Sequence, residues 1–162
     1  MSGPDGMRTL ARADTPTGEV ALRERGEGGD VVHELIVNGA FAMDSVNVDS
    51  ELALAESVAV AGRSVLIGGL GLGCTAARVL DRGAARVRVV EQAAPLIDWA
   101  GRGITSTLAR MADDPRVELA PAGVQDELAD TAAAWDVILL DVDNGPSFLI
   151  LDDNAGLYEA PG

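Results

Sequence analysis

The sequence predicts an α/β fold in which a parallel sheet carries helices on both faces and follows a small β-hairpin. From Ser64 onward, strand-like and helix-like segments alternate, and this alternation predicts a parallel sheet. The strand-like segments are almost continuously apolar, as expected for strands buried on both faces. Further upstream, Asn38-Gly39 separates two apolar runs, which is the pattern of a two-residue hairpin turn.

Three regions follow from this pattern. Residues 1–17 are rich in Gly, Pro, Asp and Thr, so we expect a disordered N-terminal lead. Residues 18–45 form the predicted β-hairpin unit, and residues 46–162 form the α/β domain. We expect the strands of that domain to lie in the spatial order 3-2-1-4, and the predicted sheet to stop after its fourth strand.

The charge and the residue content of the sequence exclude several classes of binding partner. The formal net charge of −14 makes nucleic acid and anionic membrane surfaces poor partners, whereas a cationic small molecule is a better electrostatic match. No apolar run reaches the roughly 18 residues of a membrane helix, and we expect a cytoplasmic protein. Cys74 is the single cysteine and His33 the single histidine, so the sequence predicts neither an intrachain disulfide nor a metal site.

A glycine-rich loop is the strongest functional signal. Gly69, Gly71 and Gly73 follow a predicted strand directly and open a predicted helix. Glycines let the backbone turn tightly and let a ligand approach without obstruction by a Cβ atom. The spacing differs from the G-x-G-x-x-G of dinucleotide folds, and it favours a nucleoside without a pyrophosphate. The alternative is a tight strand–helix turn without a ligand.

Two acidic positions accompany the loop. Glu91 lies at the end of the next predicted strand, where a carboxylate can accept hydrogen bonds from ribose hydroxyls. Asp141 and Asp143 follow the last buried strand, at the sheet edge where open α/β folds place ligands. A carboxylate there can position an amine and accept its proton. The alternatives are a surface carboxylate and an ordinary acidic turn.

Two further side chains are interpreted as structural. We expect His33, on the predicted hairpin, to have no catalytic role. Cys74 begins a helix, a position that can lower the pKa of a thiol, but we interpret it as a small packing residue behind the glycine loop.

Taken together, these residues resemble the spermidine synthase (polyamine aminopropyltransferase) family of the class I S-adenosylmethionine-dependent methyltransferase superfamily. The glycine loop is shared by the whole superfamily, whereas the hairpin, Asp-Pro-Arg-Val-Glu-Leu and Leu-Asp-Val-Asp-Asn-Gly-Pro are more specific. The segments that carry the resemblance are Leu35–Met43, Val65–Leu80, Val89–Gln92, Asp114–Leu119 and Trp135–Tyr158.

The resemblance implies a Rossmann-like nucleoside-binding domain at 46–162 and an aminopropyl transfer to a small-molecule amine. The donor would be S-adenosylmethionine or its decarboxylated form, used as a co-substrate without a metal. Glu91 would hold the ribose, Asp141 would accept the proton of the attacking amine, and Asp143 would hold the substrate amine. The loop glycines would line the methionine-derived end of the nucleoside.

The sequence also departs from the family pattern. The family has an amine-holding aspartate within the glycine loop, and that place falls on Gly71 here. The acid that reads adenine falls in Pro121-Ala122-Gly123, and the Tyr-His pair falls on Leu54-Ala55. These departures leave two alternatives open: a methyltransferase or related enzyme on the same fold, and a non-catalytic nucleoside-binding or assembly protein. Because the fourth predicted strand would leave an open sheet edge, we also expect a homo-oligomer.

Overall fold

The computed structural model describes residues 6–28, 30–131 and 134–141. Within these ranges, two four-stranded sheets and five helices follow one another along the chain. The first sheet is antiparallel, with the order β1-β2-β3-β4, and its strands are β1 (Arg8–Thr15), β2 (Gly18–Arg25), β3 (Val32–Val37) and β4 (Ala40–Asp44).

The second sheet is parallel, with the order β7-β6-β5-β8. This is the predicted order 3-2-1-4, so the predicted fold class is confirmed. Its strands are β5 (Ser64–Gly68), β6 (Arg86–Glu91), β7 (Val117–Pro121) and β8 (Val137–Leu140). The helices are α1 (Asp49–Glu56), α2 (Cys74–Asp81), α3 (Ala94–Gly101), α4 (Ser106–Asp113) and α5 (Val124–Thr131).

The hairpin turn between β3 and β4 forms as predicted. Asn38 and Gly39 have φ angles of 52° and 76°, the left-handed conformation that a type I′ turn requires at both central positions. The Asn38 side chain also stabilises the neighbouring turn, since its Oδ1 accepts a hydrogen bond of 2.9 Å from the backbone N–H of Glu19.

The prediction of a disordered lead over residues 1–17 is wrong for Arg8–Thr15. This segment forms β1, which pairs antiparallel with β2, and Leu10 and Ala11 pack against the core. Its polar composition hides a strand because only one face contacts the core, and a neighbouring strand supplies its backbone hydrogen bonds. The antiparallel unit is therefore larger than the predicted hairpin.

One hydrophobic core joins the two sheets. Val65, Leu66 and Ile67 of β5 are fully buried, as predicted for a central parallel strand. Val20 and Leu22 of β2 belong to the same buried cluster as Val65 and Ile67, so the antiparallel sheet packs onto the α/β domain. Small and branched aliphatic residues make up most of this core. A cavity remains where the antiparallel sheet faces the carboxyl ends of the parallel strands.

Candidate functional site

The glycine loop takes a conformation that only glycine adopts readily. Gly69, Gly71 and Gly73 have φ angles of 107°, 53° and 85°, all in the left-handed region. The N–H of Gly69 donates a 2.8 Å hydrogen bond to the carbonyl of Val90. Gly73 precedes the first residue of α2 and so ends the loop at a helix N-terminus. The chain can therefore turn from β5 into α2 within five residues.

Glu91 ties this loop to the end of β6. Its Oε1 accepts a 3.1 Å hydrogen bond from the backbone N–H of Leu70, and its Oε2 accepts one of 3.0 Å from the N–H of Ala93. Each carboxylate oxygen has a second lone pair, and Glu91 lines the cavity. The side chain therefore both shapes the glycine loop and faces the cavity.

Asp141 lies directly after β8, on the same edge of the sheet. Its backbone N–H donates a 2.7 Å hydrogen bond to the carbonyl of Gly68, and its Oδ2 accepts one of 2.7 Å from the Thr75 hydroxyl. Burial raises the pKa of Asp141 to about 6, and the nearby charges of Glu51 and Glu91 add to the rise. A carboxyl group with this pKa is largely ionised at neutral pH and can still exchange a proton.

These groups share one cavity of about 380 Å³. Gly69, Gly71, Glu91 and Asp141 all line it, whereas Gly73 is not among its lining residues. The structure thus brings together four of the six predicted site residues. The remaining walls are mainly apolar and come from both sheets and three helices, including Val20, Leu35, Val37, Leu54, Leu96 and Val124.

Of the remaining sequence predictions, Asp143 lies outside the described residues. His33 lies on β3, where its Nε2 is 3.2 Å from Oε2 of Glu24, and it is not among the cavity residues. Burial, with the charges of Glu51 and Asp141, raises the pKa of the Cys74 thiol to about 11, which argues against a reactive thiolate. Cys74 packs against the core, as the packing interpretation predicted.

Sequence reasoning missed several cavity residues. Glu51 lies in the first turn of α1, and Gln92 follows β6. Thr15 and Thr17 come from the segment that was predicted to be disordered. Glu51 and Ala55 are spaced by one helical turn and share the buried face of α1, but the sequence alone does not show that this face is buried. Thr15 and Thr17 reach the cavity through tertiary packing alone.

Among the described residues, no group of three or more His, Cys, Asp and Glu side chains could hold a metal ion. No helix in the described ranges is long and apolar enough to cross a bilayer.

Solved structures of known proteins share the fold of this chain. The spermidine synthase from Thermotoga maritima superposes with a TM-score of 0.67 at 22% identity, over 87% of this chain and 49% of that enzyme. A spermidine synthase in complex with the transition-state analogue AdoDATO superposes with a TM-score of 0.65 at 23% identity, over 83% of this chain and 47% of that enzyme. The chain therefore has a spermidine-synthase-like fold and spans about half the length of these enzymes. No family model and no curated protein matches its sequence.

Proposed function

We propose that the cavity binds an S-adenosyl nucleoside and that the chain carries out an aminopropyltransferase-like reaction. The observation that carries the proposal is the convergence of Gly69, Gly71, Glu91 and Asp141 on one cavity. This cavity falls within the range of about 300–1,000 Å³ typical of small-molecule sites. The solved structures with the same fold support a nucleoside ligand, because one of them is a complex with AdoDATO.

In the proposed reaction, the lone pair of a neutral amine nitrogen attacks the donor carbon that is bonded to the sulfonium sulfur. The new N–C bond forms as the C–S bond breaks, and the bonding pair leaves with sulfur as a neutral thioether. The nitrogen becomes positively charged, and its proton passes to the Asp141 carboxylate. Catalysis would rest mainly on holding amine and donor in line, with proton transfer as a further contribution.

Glu91 would accept hydrogen bonds from the ribose hydroxyls in this proposal. The glycine loop would leave room for the sulfur and the carbon chain of the donor, since its residues expose backbone rather than side chains on this side of the cavity. A methyltransferase reaction on the same scaffold would use intact S-adenosylmethionine, whose carboxylate would face the buried acids of the cavity. A comparison of the two donors therefore separates the two reactions.

Binding of methylthioadenosine, measured by calorimetry, tests the nucleoside site. This ligand contains the adenosine and thioether parts of every donor considered. We expect micromolar binding to the wild-type chain and at least about a tenfold loss in Glu91→Ala, because charge-assisted hydrogen bonds are lost. Glu118→Gln is the matched control, since Glu118 lies on the neighbouring strand β7 and is half-exposed beside Arg86 and Arg88.

Absence of methylthioadenosine binding at millimolar concentration would contradict the proposal. Binding without turnover of either donor would favour the non-catalytic alternative. Methyl transfer from intact S-adenosylmethionine would favour the methyltransferase alternative.

A further inference from the structure

Asp141 is held by hydrogen bonds to both ends of the glycine loop. Its backbone N–H donates a 2.7 Å hydrogen bond to the carbonyl of Gly68, the last residue of β5. Its Oδ2 accepts a 2.7 Å hydrogen bond from the hydroxyl of Thr75, the second residue of α2. The position of the carboxyl group therefore depends on α2 as well as on the strand β8 that precedes Asp141.

Thr75 is a deeply buried polar residue, with only 1% of its surface exposed. A threonine hydroxyl carries a single proton, and in a helix this proton is often donated to a backbone carbonyl of the preceding turn. In α2 the hydroxyl donates it to Asp141 instead. Since a buried hydroxyl is costly without a hydrogen bond, the Asp141 carboxylate is the partner that stabilises Thr75 at this position.

The second carboxylate oxygen of Asp141 is left for the cavity. Oδ1 accepts no hydrogen bond from the described residues, and none of their buried side-chain nitrogen and oxygen atoms lacks a hydrogen-bond partner. Oδ1 is therefore accessible, and Asp141 lines the cavity. Because both oxygens turn together about the Cβ–Cγ bond, a hydrogen bond that holds Oδ2 also fixes the direction of Oδ1.

The charged groups around Asp141 oppose its ionisation, whereas Thr75 favours it. Burial raises the pKa of Asp141, and the negative charges of Glu51 on α1 and Glu91 on β6 add to the rise. The neighbouring Cys74 thiol has a pKa of about 11 and so carries no charge at neutral pH. The hydrogen bond from Thr75 lowers the pKa of Asp141, because a donor stabilises the charged carboxylate.

We propose that Thr75 is a positioning residue, which holds Oδ2 of Asp141 on the protein side and directs Oδ1 into the cavity as the atom that accepts the amine proton. The inference rests on the proposed function and names the oxygen that acts as the base. Thr75 is not among the cavity residues, so it acts through Asp141 rather than through contact with a ligand. The proton of the charged nitrogen passes to Oδ1, while Oδ2 keeps its hydrogen bond from Thr75.

The carboxyl pKa of Asp141, measured by NMR in variants of Thr75, tests the hydrogen bond without any ligand. Thr75→Val keeps the shape of the side chain and removes the hydroxyl. The pKa of Asp141 should therefore rise above about 6, by about one to two pH units. Thr75→Ser keeps the hydroxyl and should keep the wild-type pKa. Should Thr75→Val fail to fold, Thr75→Ala removes the same hydroxyl.

Thr105→Val is the matched control for the loss of a buried threonine hydroxyl. Thr105 is 5% exposed, and its Oγ1 accepts a 3.2 Å hydrogen bond from the N–H of Leu108 at the start of α4. Loss of this helix cap should lower the free energy of unfolding and leave the pKa of Asp141 unchanged. A similar rise of the Asp141 pKa in Thr105→Val would show a general effect of destabilisation and would overturn the inference.

Turnover adds a test that depends on the proposed reaction. The single-turnover rate of aminopropyl transfer in Thr75→Val should fall about tenfold at pH 7, because less of the carboxylate is ionised and Oδ1 is no longer fixed. The pH profile of the rate should move to higher pH together with the pKa of Asp141. The affinity for methylthioadenosine should stay within about twofold of wild type, and Thr75→Ser should restore the rate.

An unchanged Asp141 pKa in Thr75→Val, or an equal rise in Thr75→Val and Thr75→Ser, would overturn the inference while the nucleoside site would stand. A rate loss matched by an equal loss of methylthioadenosine affinity would assign Thr75 a structural role and would also overturn it. A wild-type chain that turns over no donor would remove the proposed function. The pKa of Asp141 in the Thr75 variants would then decide by itself whether Thr75 holds the carboxylate.

Discussion

Carboxylates outside the cavity and carboxylates inside it have opposite surroundings. On β3, Glu34 contacts Arg23 and Arg25 at 2.6 and 2.8 Å, and after α4, Asp114 contacts Arg116 at 2.7 Å. In the cavity, Glu51 and Asp141 form no ion pair with any arginine. The chain thus pairs Glu34 and Asp114 with arginines but leaves Glu51 and Asp141 without one.

The pKa values follow the same division. Hydrogen bonds from Arg116 hold the pKa of Asp114 at about 2, below its usual 3.8. Burial, without a compensating cation, raises the pKa of Asp141 to about 6. Buried carboxyl groups with a raised pKa cluster at functional sites. There a ligand can supply the favourable interaction that the protein does not make with the carboxylate. The comparison therefore separates acids that are paired within the fold from acids that we propose for ligand binding.

The largest effect is expected from Asp141→Asn on turnover. Asparagine keeps an oxygen that can accept the Thr75 hydrogen bond, but it cannot accept a proton from the amine. We expect the rate of aminopropyl transfer to fall about 10²- to 10⁴-fold, the range for loss of a general base. Single-turnover assays would measure the rate, and calorimetry should find methylthioadenosine affinity unchanged. A loss below tenfold would show that Asp141 is not the base.

A smaller effect, opposite in sign for the two classes of acid, is expected on stability. Because the folded-state pKa of Asp141 is raised, the folded chain is stabilised below about pH 3.8 and loses that contribution as the pH rises through about 6. Asp141→Asn removes the penalty, so the free energy of unfolding at pH 8 should rise by about 1–3 kcal/mol. Urea unfolding from pH 4 to pH 8 would measure this difference.

Asp114→Asn is the matched comparison for that experiment. The folded-state pKa of Asp114 is lowered, so its contribution is present above about pH 3.8 and is lost as the pH falls towards 2. The variant should be less stable at pH 8, by about 1 kcal/mol or less because the pair is partly exposed. A loss of stability at pH 8 in both variants would contradict the division between the two classes of acid.

The sequence predicted the parts of the molecule that local patterns determine. The alternation of apolar strands with helical segments predicted the parallel sheet, and Asn38-Gly39 predicted the hairpin turn, because backbone conformation follows from a few residues there. The glycine loop, Glu91 and Asp141 were found because each lies at the end of a parallel strand, and such ends meet at one edge of the sheet.

The rest of the site depends on contacts between distant segments. Thr15 and Thr17 belong to a polar segment, and its composition alone indicated disorder. The order of this segment comes from pairing with β2, which composition does not show. Glu51 carries a signal only when its burial is known, since an acid in the first turn of a helix is also a common surface residue. The absence of a cation beside Glu51 and Asp141 follows from where all twelve arginines lie, which no local pattern shows.

The carboxyl pKa of Asp141, measured by NMR with and without a bound alkyl diamine, tests the central claim most directly. The account predicts a value of about 6 for the free chain and a lower value with 1,4-diaminobutane, because the ammonium group favours the ionised carboxylate. The shift should disappear in Glu51→Gln and persist in Asp49→Asn, which removes one negative charge from the same helical turn at an exposed position. A pKa of Asp141 near 4 that the diamine leaves unchanged would contradict the claim that the carboxylates of the cavity bind a cationic ligand.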